Sequence, residues 1–456
     1  MNRILLKNIF HLVTMNSSGD RINGVDILIE DNRIKRIGSD ISSNGTETID
    51  CSTKLVIPGL VNSHHHLFQT FQRNIPPVQN AHLFEWLTNL YEIWKYMDEE
   101  TVYYSTLLGC AELLKTGCTT TTDHHYLYPL AFQSDIPQLQ METAAQIGIR
   151  FAPTRGSMSR GKSKGGLPPD SIIQSEDDIL TQSEEAIRKY HDPSPLSMRQ
   201  IHLAPCSPFS VTTELLKETA QLARKYNVRL HTHLCETLDE EDYCLEKYNM
   251  RPLALMESVD WLGDDVWYAH GIYFNDDELN LLAQTGTGIA HCPTSNMRLG
   301  SGIARVPEML KLGIPVGLAV DGSASNDSSD MVGEMRNALL LHRVHAGADA
   351  MSAPQVLEMA TKQSASLLGR TDIGTIEEGK AADIAIFELD RLEYTGALSD
   401  PLAALVFSGI NHQADMTIVN GAVLVKEGRL TSVDEREIIE NGNRISRHML
   451  ERAGIL

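Results

Sequence analysis

From residue 1 to about 57, apolar and polar positions alternate in short runs, broken by turn signals such as Asn16-Ser17-Ser18-Gly19-Asp20 and Ile22-Asn23-Gly24. This pattern predicts a small antiparallel sheet. The alternation returns near the other end of the chain, in 382–387 and 416–425. The two ends therefore predict one β-sandwich domain, residues 1–57 and 371–456, with a terminal helix after its last strands. In residues 58–370 the period changes. Eight apolar, strand-like runs occur at 55–63, 119–124, 149–155, 201–206, 228–234, 266–270, 288–292 and 316–321. Amphipathic stretches with helical spacing lie between them, for example 100–116, 183–190, 213–226, 276–284 and 330–345. Strands alternating with helices over this length predict an α/β fold, a (β/α)8 TIM barrel whose active site lies at the C-terminal ends of its strands.

Those strand ends are where the reactive side chains fall. The first run closes on His64-His65-His66, and two-residue alternation puts His64 and His66 on one face, with His65 on the other. The fifth run delivers His233 and, three residues later, Glu236; the sixth ends in His270 and the eighth in Asp321. A lone histidine at a strand end is usually structural, but here His270 joins His64, His66, His233 and Asp321 at one rim. Three imidazoles, His64, His66 and His233, with Asp321 as a possible fourth contact and one position left for water, make a catalytic rather than a structural metal site. Such donors do not select zinc over iron or manganese by themselves. Glu236 is close enough in sequence to His233 to reach a water activated there.

Composition narrows the partners. A net charge of −21 would repel a phosphate backbone, so nucleic acid is excluded and a neutral or cationic small molecule fits better. No run of about 18 uninterrupted apolar residues predicts a membrane span, and the start has no apolar core followed by a small-residue cleavage site, so the expected location is cytoplasmic. The seven cysteines lack Cys-x-x-Cys spacing and predict core thiols rather than disulfides or a zinc knuckle. A nucleic-acid deaminase of the zinc cytidine type needs His-x-Glu and a later Pro-Cys-x-x-Cys, which His291-Cys292-Pro293 does not satisfy.

The ordered motifs carry a resemblance. Pro58-Gly59-Leu60-Val61-Asn62-Ser63-His64-His65-His66, His233-Leu234-Cys235-Glu236-Thr237, Ala269-His270-Gly271, Val320-Asp321-Gly322-Ser323 and Gly374-Thr375-Ile376-Glu377-Glu378-Gly379-Lys380-Ala381-Ala382-Asp383 resemble the amidohydrolase superfamily along essentially the whole chain. Within it, Thr70-Phe71-Gln72-Arg73-Asn74-Ile75-Pro76, Leu83-Phe84-Glu85-Trp86-Leu87, Tyr91-Glu92-Ile93-Trp94, Arg155-Gly156-Ser157-Met158 and Gly165-Gly166-Leu167-Pro168-Pro169-Asp170 are similar to the chlorohydrolase and aromatic deaminase branch, most of all to deaminases of 8-oxoguanine. Hydroxyatrazine hydrolases and isoxanthopterin deaminases share the pattern. The resemblance implies one divalent metal, zinc, held by His64, His66, His233 and Asp321. Glu236 would shuttle protons, and His270 would orient or polarise the attacked group. Binuclear relatives need a lysine at the end of strand four; here that strand ends Ala204-Pro205-Cys206-Ser207, so one metal is expected. A small amino-substituted heterocycle is the implied substrate and a homo-oligomer the implied assembly. The alternatives are a guanine or pterin deaminase, an amino or chloro hydrolase of a triazine, and a metal-free binding relative.

Substrate contacts are open to two readings. Trp86 and Phe84 either cover a flat ring or staple a lid to the barrel. Gln72, Arg155 and Cys206 offer hydrogen bonds to ring oxygens and nitrogens, though Arg155 also suits a structural salt bridge. The loop 157–170, rich in Gly and Ser, reads as a flap or a plain solvated loop.

Overall fold

The apolar run 55–63 forms two strands rather than one. Lys54–Pro58 pairs antiparallel with Ile384–Glu388, whereas Leu60–Asn62 pairs in parallel with Cys118–Thr121. Gly59 is where the chain changes sheets. Its N–H donates to Asp383 while that of Leu60 donates to Gly117. A Cβ at residue 59 would lie 2.2 Å from the Thr119 hydroxyl, so glycine alone lets the two strands approach.

The computed structural model describes residues 2–456 except 44, 133 and 409–411. After Gly59 the parallel strands succeed one another with a helix between most of them. Strands four to eight of the barrel are His202–Pro205, Leu230–Leu234, Val266–His270, Gly288–His291 and Val316–Leu318. Each pairs in parallel with the next. Strands two and three are each interrupted, Cys118–Thr121 being followed by His124–His125 and Arg150–Phe151 by Thr154–Ser157. In strand three the break contains Pro153, which has no N–H to donate to the ladder. The ring closes where the Ser63 N–H donates to the Leu318 carbonyl at 3.3 Å and the Asp321 N–H to the His64 carbonyl at 3.1 Å. Intervening helices such as Glu99–Lys115, Thr213–Tyr226 and Met331–Ala346 lie within two residues of the positions expected from their periodicity.

Two further sheets lie outside the barrel, and the two ends of the chain meet in one of them. One, in spatial order, is Arg33–Gly38, Val25–Glu30, Arg3–Ile9, Glu47–Asp50. The other joins a block of C-terminal strands, including Ile384–Glu388 and Met416–Val419, to a block of N-terminal strands through the pairing of Ile384–Glu388 with Lys54–Pro58. Both sheets contribute to one apolar cluster that includes Ile4, Leu6, Ile27, Val56, Ile384 and Ile418. The apolar run 416–425 is a hairpin rather than a single strand: Asn420 and Gly421 both have positive φ, the two-residue turn that suits the twist of paired strands. Among the described residues no helix is long and apolar enough to cross a membrane.

A buried ion pair joins these sheets to the barrel. The Arg150 guanidinium, on barrel strand three, meets both carboxylate oxygens of Asp383 at 3.0 and 3.1 Å. The pair is almost fully enclosed, and Arg150 also donates to the Leu196 and Ser197 carbonyls. Removing one partner strands a buried charge, which costs about 3–5 kcal/mol, whereas replacing both by apolar groups is far milder. Asp383→Leu is therefore expected to lose about that much stability in urea unfolding, and the double variant Arg150→Met/Asp383→Leu to recover most of it.

Candidate metal centre and active site

Three imidazoles converge at the C-terminal mouth of the barrel, and in each case the remote ring nitrogen is already engaged. Nδ1 of His66 faces the His124 carbonyl at 2.8 Å, and Nδ1 of His233 faces the Cys206 carbonyl at 2.6 Å. A carbonyl can only accept, so both rings carry their proton on Nδ1 and present a lone pair at Nε2. His64 is fixed through one more ring. His231 donates from Nδ1 to the Trp267 carbonyl at 2.9 Å, which leaves its Nε2 to accept from His64 Nδ1 at 2.7 Å. The Nε2 of His64 is then also a lone pair, buried and without a hydrogen-bond partner.

These lone pairs point at one another and at a carboxylate. Nε2 of His66 and of His233 are 3.0 Å apart, and Asp321 Oδ1 lies 3.3 Å from Nε2 of both His64 and His66. Burial lowers the pKa of His64 and His233 well below the usual imidazole value and so keeps both rings neutral. Neutral donors and one carboxylate with no proton between them fit a divalent cation, whose bonds to such nitrogens are about 2.0–2.1 Å. His65 points away and meets the Ser329 hydroxyl at 3.0 Å.

Glu236 and His270 flank this cluster. Nε2 of His270 is 3.5 Å from Glu236 Oε2 and 4.0 Å from Asp321 Oδ2, while its Nδ1 faces Asn296 Oδ1 at 2.9 Å. Ser295 donates its hydroxyl to Asp321 Oδ2 at 2.6 Å and orients that carboxylate. Burial, reinforced by the neighbouring Asp321 charge, raises the Glu236 carboxyl to about 8, where it can both hold and release a proton near neutrality. His66, His233, Glu236 and Asp321 form part of the wall of a cavity, which Trp86 and Tyr126 also line.

The model for the amidohydrolase family matches residues 55–424. An 8-oxoguanine deaminase from Pseudomonas aeruginosa is 44% identical over 96% of this chain and 97% of its own length. A hydroxydechloroatrazine ethylaminohydrolase from Pseudomonas sp. strain ADP is 36% identical over 99% of this chain and 96% of that protein. Among solved structures, a mutant atrazine chlorohydrolase from Arthrobacter aurescens, complexed with zinc and atraton, superposes with a TM-score of 0.93 at 34% identity, covering 97% of this chain and all of that one (100%).

The chain belongs to the amidohydrolase family. Zinc-bound relatives share its fold, and the His and Asp groups gathered at this site fit a divalent metal ion.

As an amidohydrolase it departs from the expected substrate contacts at two positions. Gln72 does not line the cavity: its amide is held between Trp94 Nε1 at 3.2 Å and the Met449 sulfur at 3.3 Å. Gln69, one turn earlier on the 3₁₀ segment Leu67–Gln69, lines it instead, with an Oε1 that has no partner. Arg155 faces a different cavity, on the flank of the barrel. Its guanidinium stacks 3.7 Å over Tyr128 and donates to Gln174 and Gln182, so it is neither a contact to the metal pocket nor a salt bridge. Trp86 and Cys206 do line the metal pocket. The Trp86 indole N–H has no partner there, and the Cys206 thiol is neutral because burial pushes it up to about 12. Phe84 lies behind the wall, against Phe209 at 5.1 Å. The loop 157–170 is not a free flap. The N–H groups of Ser159 and Arg160 donate to Ser210, and the Arg160 guanidinium bonds the Tyr243 and Tyr248 hydroxyls.

Two histidines escaped the sequence reading. His231 shares a face with His233 by the same two-residue alternation that separates His65 from its neighbours. His124 opens the second segment of the broken second strand, stacks on His233 at 4.8 Å and 22°, and anchors its Nε2 on the Ala204 carbonyl at 2.9 Å. Groups that orient a metal ligand typically account for 10–100-fold in metal affinity. Replacing His231 with Phe preserves the stack on Trp267 but removes the acceptor for His64 Nδ1. Competition with a chromogenic chelator is expected to show zinc affinity reduced about 10- to 100-fold with little change in melting temperature; wild-type affinity would contradict this role.

Proposed function

We propose that this chain deaminates an amino-substituted oxopurine, with 8-oxoguanine as substrate and urate and ammonia as products. The observation that carries the substrate is the likeness to the Pseudomonas aeruginosa deaminase over nearly the full length of both proteins. The cavity agrees with it. Trp86 and Tyr126 offer flat faces to a bicyclic ring, and the unpartnered Trp86 N–H and Gln69 Oε1 offer a donor and an acceptor to its edge.

His64, His66, His233 and Asp321 are the groups that would hold the zinc, which supplies a Lewis acid able to make water nucleophilic near neutral pH. Glu236 is the proton carrier. Its raised pKa suits it to accept a proton from the attacking water, pass it to the ring nitrogen beside C2 and assist departure of the exocyclic amine as ammonia. His270, with its proton placed on Nδ1 by Asn296, turns Nε2 toward Glu236 and Asp321 and orders the groups around the attacked carbon. We further read the terminal sheets as one β-sandwich, residues 1–57 and 371–456, that braces barrel strands one and three through Gly59 and the Arg150–Asp383 pair.

Amine release from the zinc-loaded protein is the test: ammonia from 8-oxoguanine, guanine, isoxanthopterin and S-adenosylhomocysteine, and ethylamine from hydroxyatrazine. Turnover is expected to be highest on 8-oxoguanine; a marked preference for the triazine or the pterin would replace the proposed substrate while leaving the hydrolytic centre in place. Glu236→Gln is expected to bind zinc normally and to lose about 10²–10⁴-fold in kcat, the usual contribution of a general acid–base group. Wild-type turnover in that variant would refute the assignment.

A further inference from the structure

Glu236 sits in the short connection between barrel strand five and the helix Leu238–Tyr248. Nothing caps that helix in the ordinary way: Thr237 precedes it without a side-chain cap bond, and its hydroxyl is buried and unpartnered. The third residue of the helix, Glu240, takes over with a longer reach. A capping box would bring a carboxylate at this position back to the N–H of Thr237. The Glu240 carboxylate passes that group and accepts instead from the two preceding amides, Cys235 N–H at 3.1 Å and Glu236 N–H at 3.2 Å. Its side chain is enclosed, with 1% of its surface exposed, and it lies outside the wall of the catalytic cavity.

The peptide it holds is a strained one. Cys235 has φ of 55° without being glycine, a conformation that persists only where the surroundings fix it. On its other side the Cys235 carbonyl accepts N–H bonds from Ile272 at 2.8 Å and Tyr273 at 3.1 Å, just beyond His270. The turn bearing Glu236 is thus bound by Glu240 from the helix and by the segment that carries His270. Together these contacts set the 3.5 Å approach of Glu236 to His270.

We propose that Glu240 is a positioning residue for Glu236: it locks the peptide that aims the proton carrier, without touching substrate or metal. This rests on the reading of Glu236 given above. Small misplacements of a catalytic group can cost about 10²-fold, and residues that act as a unit show non-additive losses. Glu240→Gln keeps the shape but offers one acceptor where two are needed. It is expected to lower kcat about 10- to 100-fold with KM and zinc content unchanged, and the double variant Glu236→Gln/Glu240→Gln to be no slower than Glu236→Gln alone. Should Glu240→Gln fail to fold, Glu240→Asp, one methylene too short to span both amides, takes its place with the same expectation. An unchanged kcat, or losses that multiply in the double variant, would show a mere helix cap and overturn the proposal. The Glu236→Gln arm separates the two levels: full activity there defeats the role of Glu236 itself, whereas an inactive Glu236→Gln with an unimpaired Glu240 variant defeats only this inference.

Discussion

Lone pairs directed at one buried point repel one another, and the mouth of this barrel is organised around that fact. His64, His66 and His233 are turned inward because a carbonyl, or an imidazole itself bonded to a carbonyl, occupies the far side of each ring. Without a cation, burying three such nitrogens beside the Asp321 carboxylate would be costly. The fold accepts that arrangement because the donors come from the ends of strands one, five and eight, and each is tied by a further hydrogen bond, so that no side chain can turn away without breaking one.

The same rim stores backbone strain. Cys235, His270 and Asp321 all have positive φ, at 55°, 72° and 63°, and they follow or end strands five, six and eight. In each case the left-handed residue lets the chain leave the strand while its own or its neighbour's side chain remains over the barrel mouth. Such conformations need over-determined surroundings. The Asp321 N–H is tied to the His64 carbonyl, Gly271 N–H donates to Leu234, and Cys235 is held at both ends. Strand geometry and site geometry are one construction here.

Much of this was legible in the sequence because two-residue alternation is a rigid rule. It separates His64 and His66 from His65, and applied equally to strand five it would have included His231. What it could not supply is the effect of interruptions. Pro153 breaks strand three, and Arg155 beyond it faces the flank of the barrel rather than the metal pocket. The 3₁₀ turn after His66 brings Gln69, not Gln72, to the cavity, and Gly322 makes room for it, since a Cβ there would fall 1.9 Å from the Gln69 amide oxygen. Gly59 divided one apolar run between two sheets for a similar steric reason, as only the tertiary partner Thr119 reveals. Periodicity reports which face a residue shares; it does not report where a chain changes partners.

The most direct test of the convergent site is a crystal structure of the zinc-loaded protein, with anomalous scattering collected on both sides of the zinc edge. A single strong peak is expected, bounded by Nε2 of His64, His66 and His233 and a carboxylate oxygen of Asp321. A peak coordinated by other residues, or full zinc occupancy with any of these three imidazoles turned away, would contradict it.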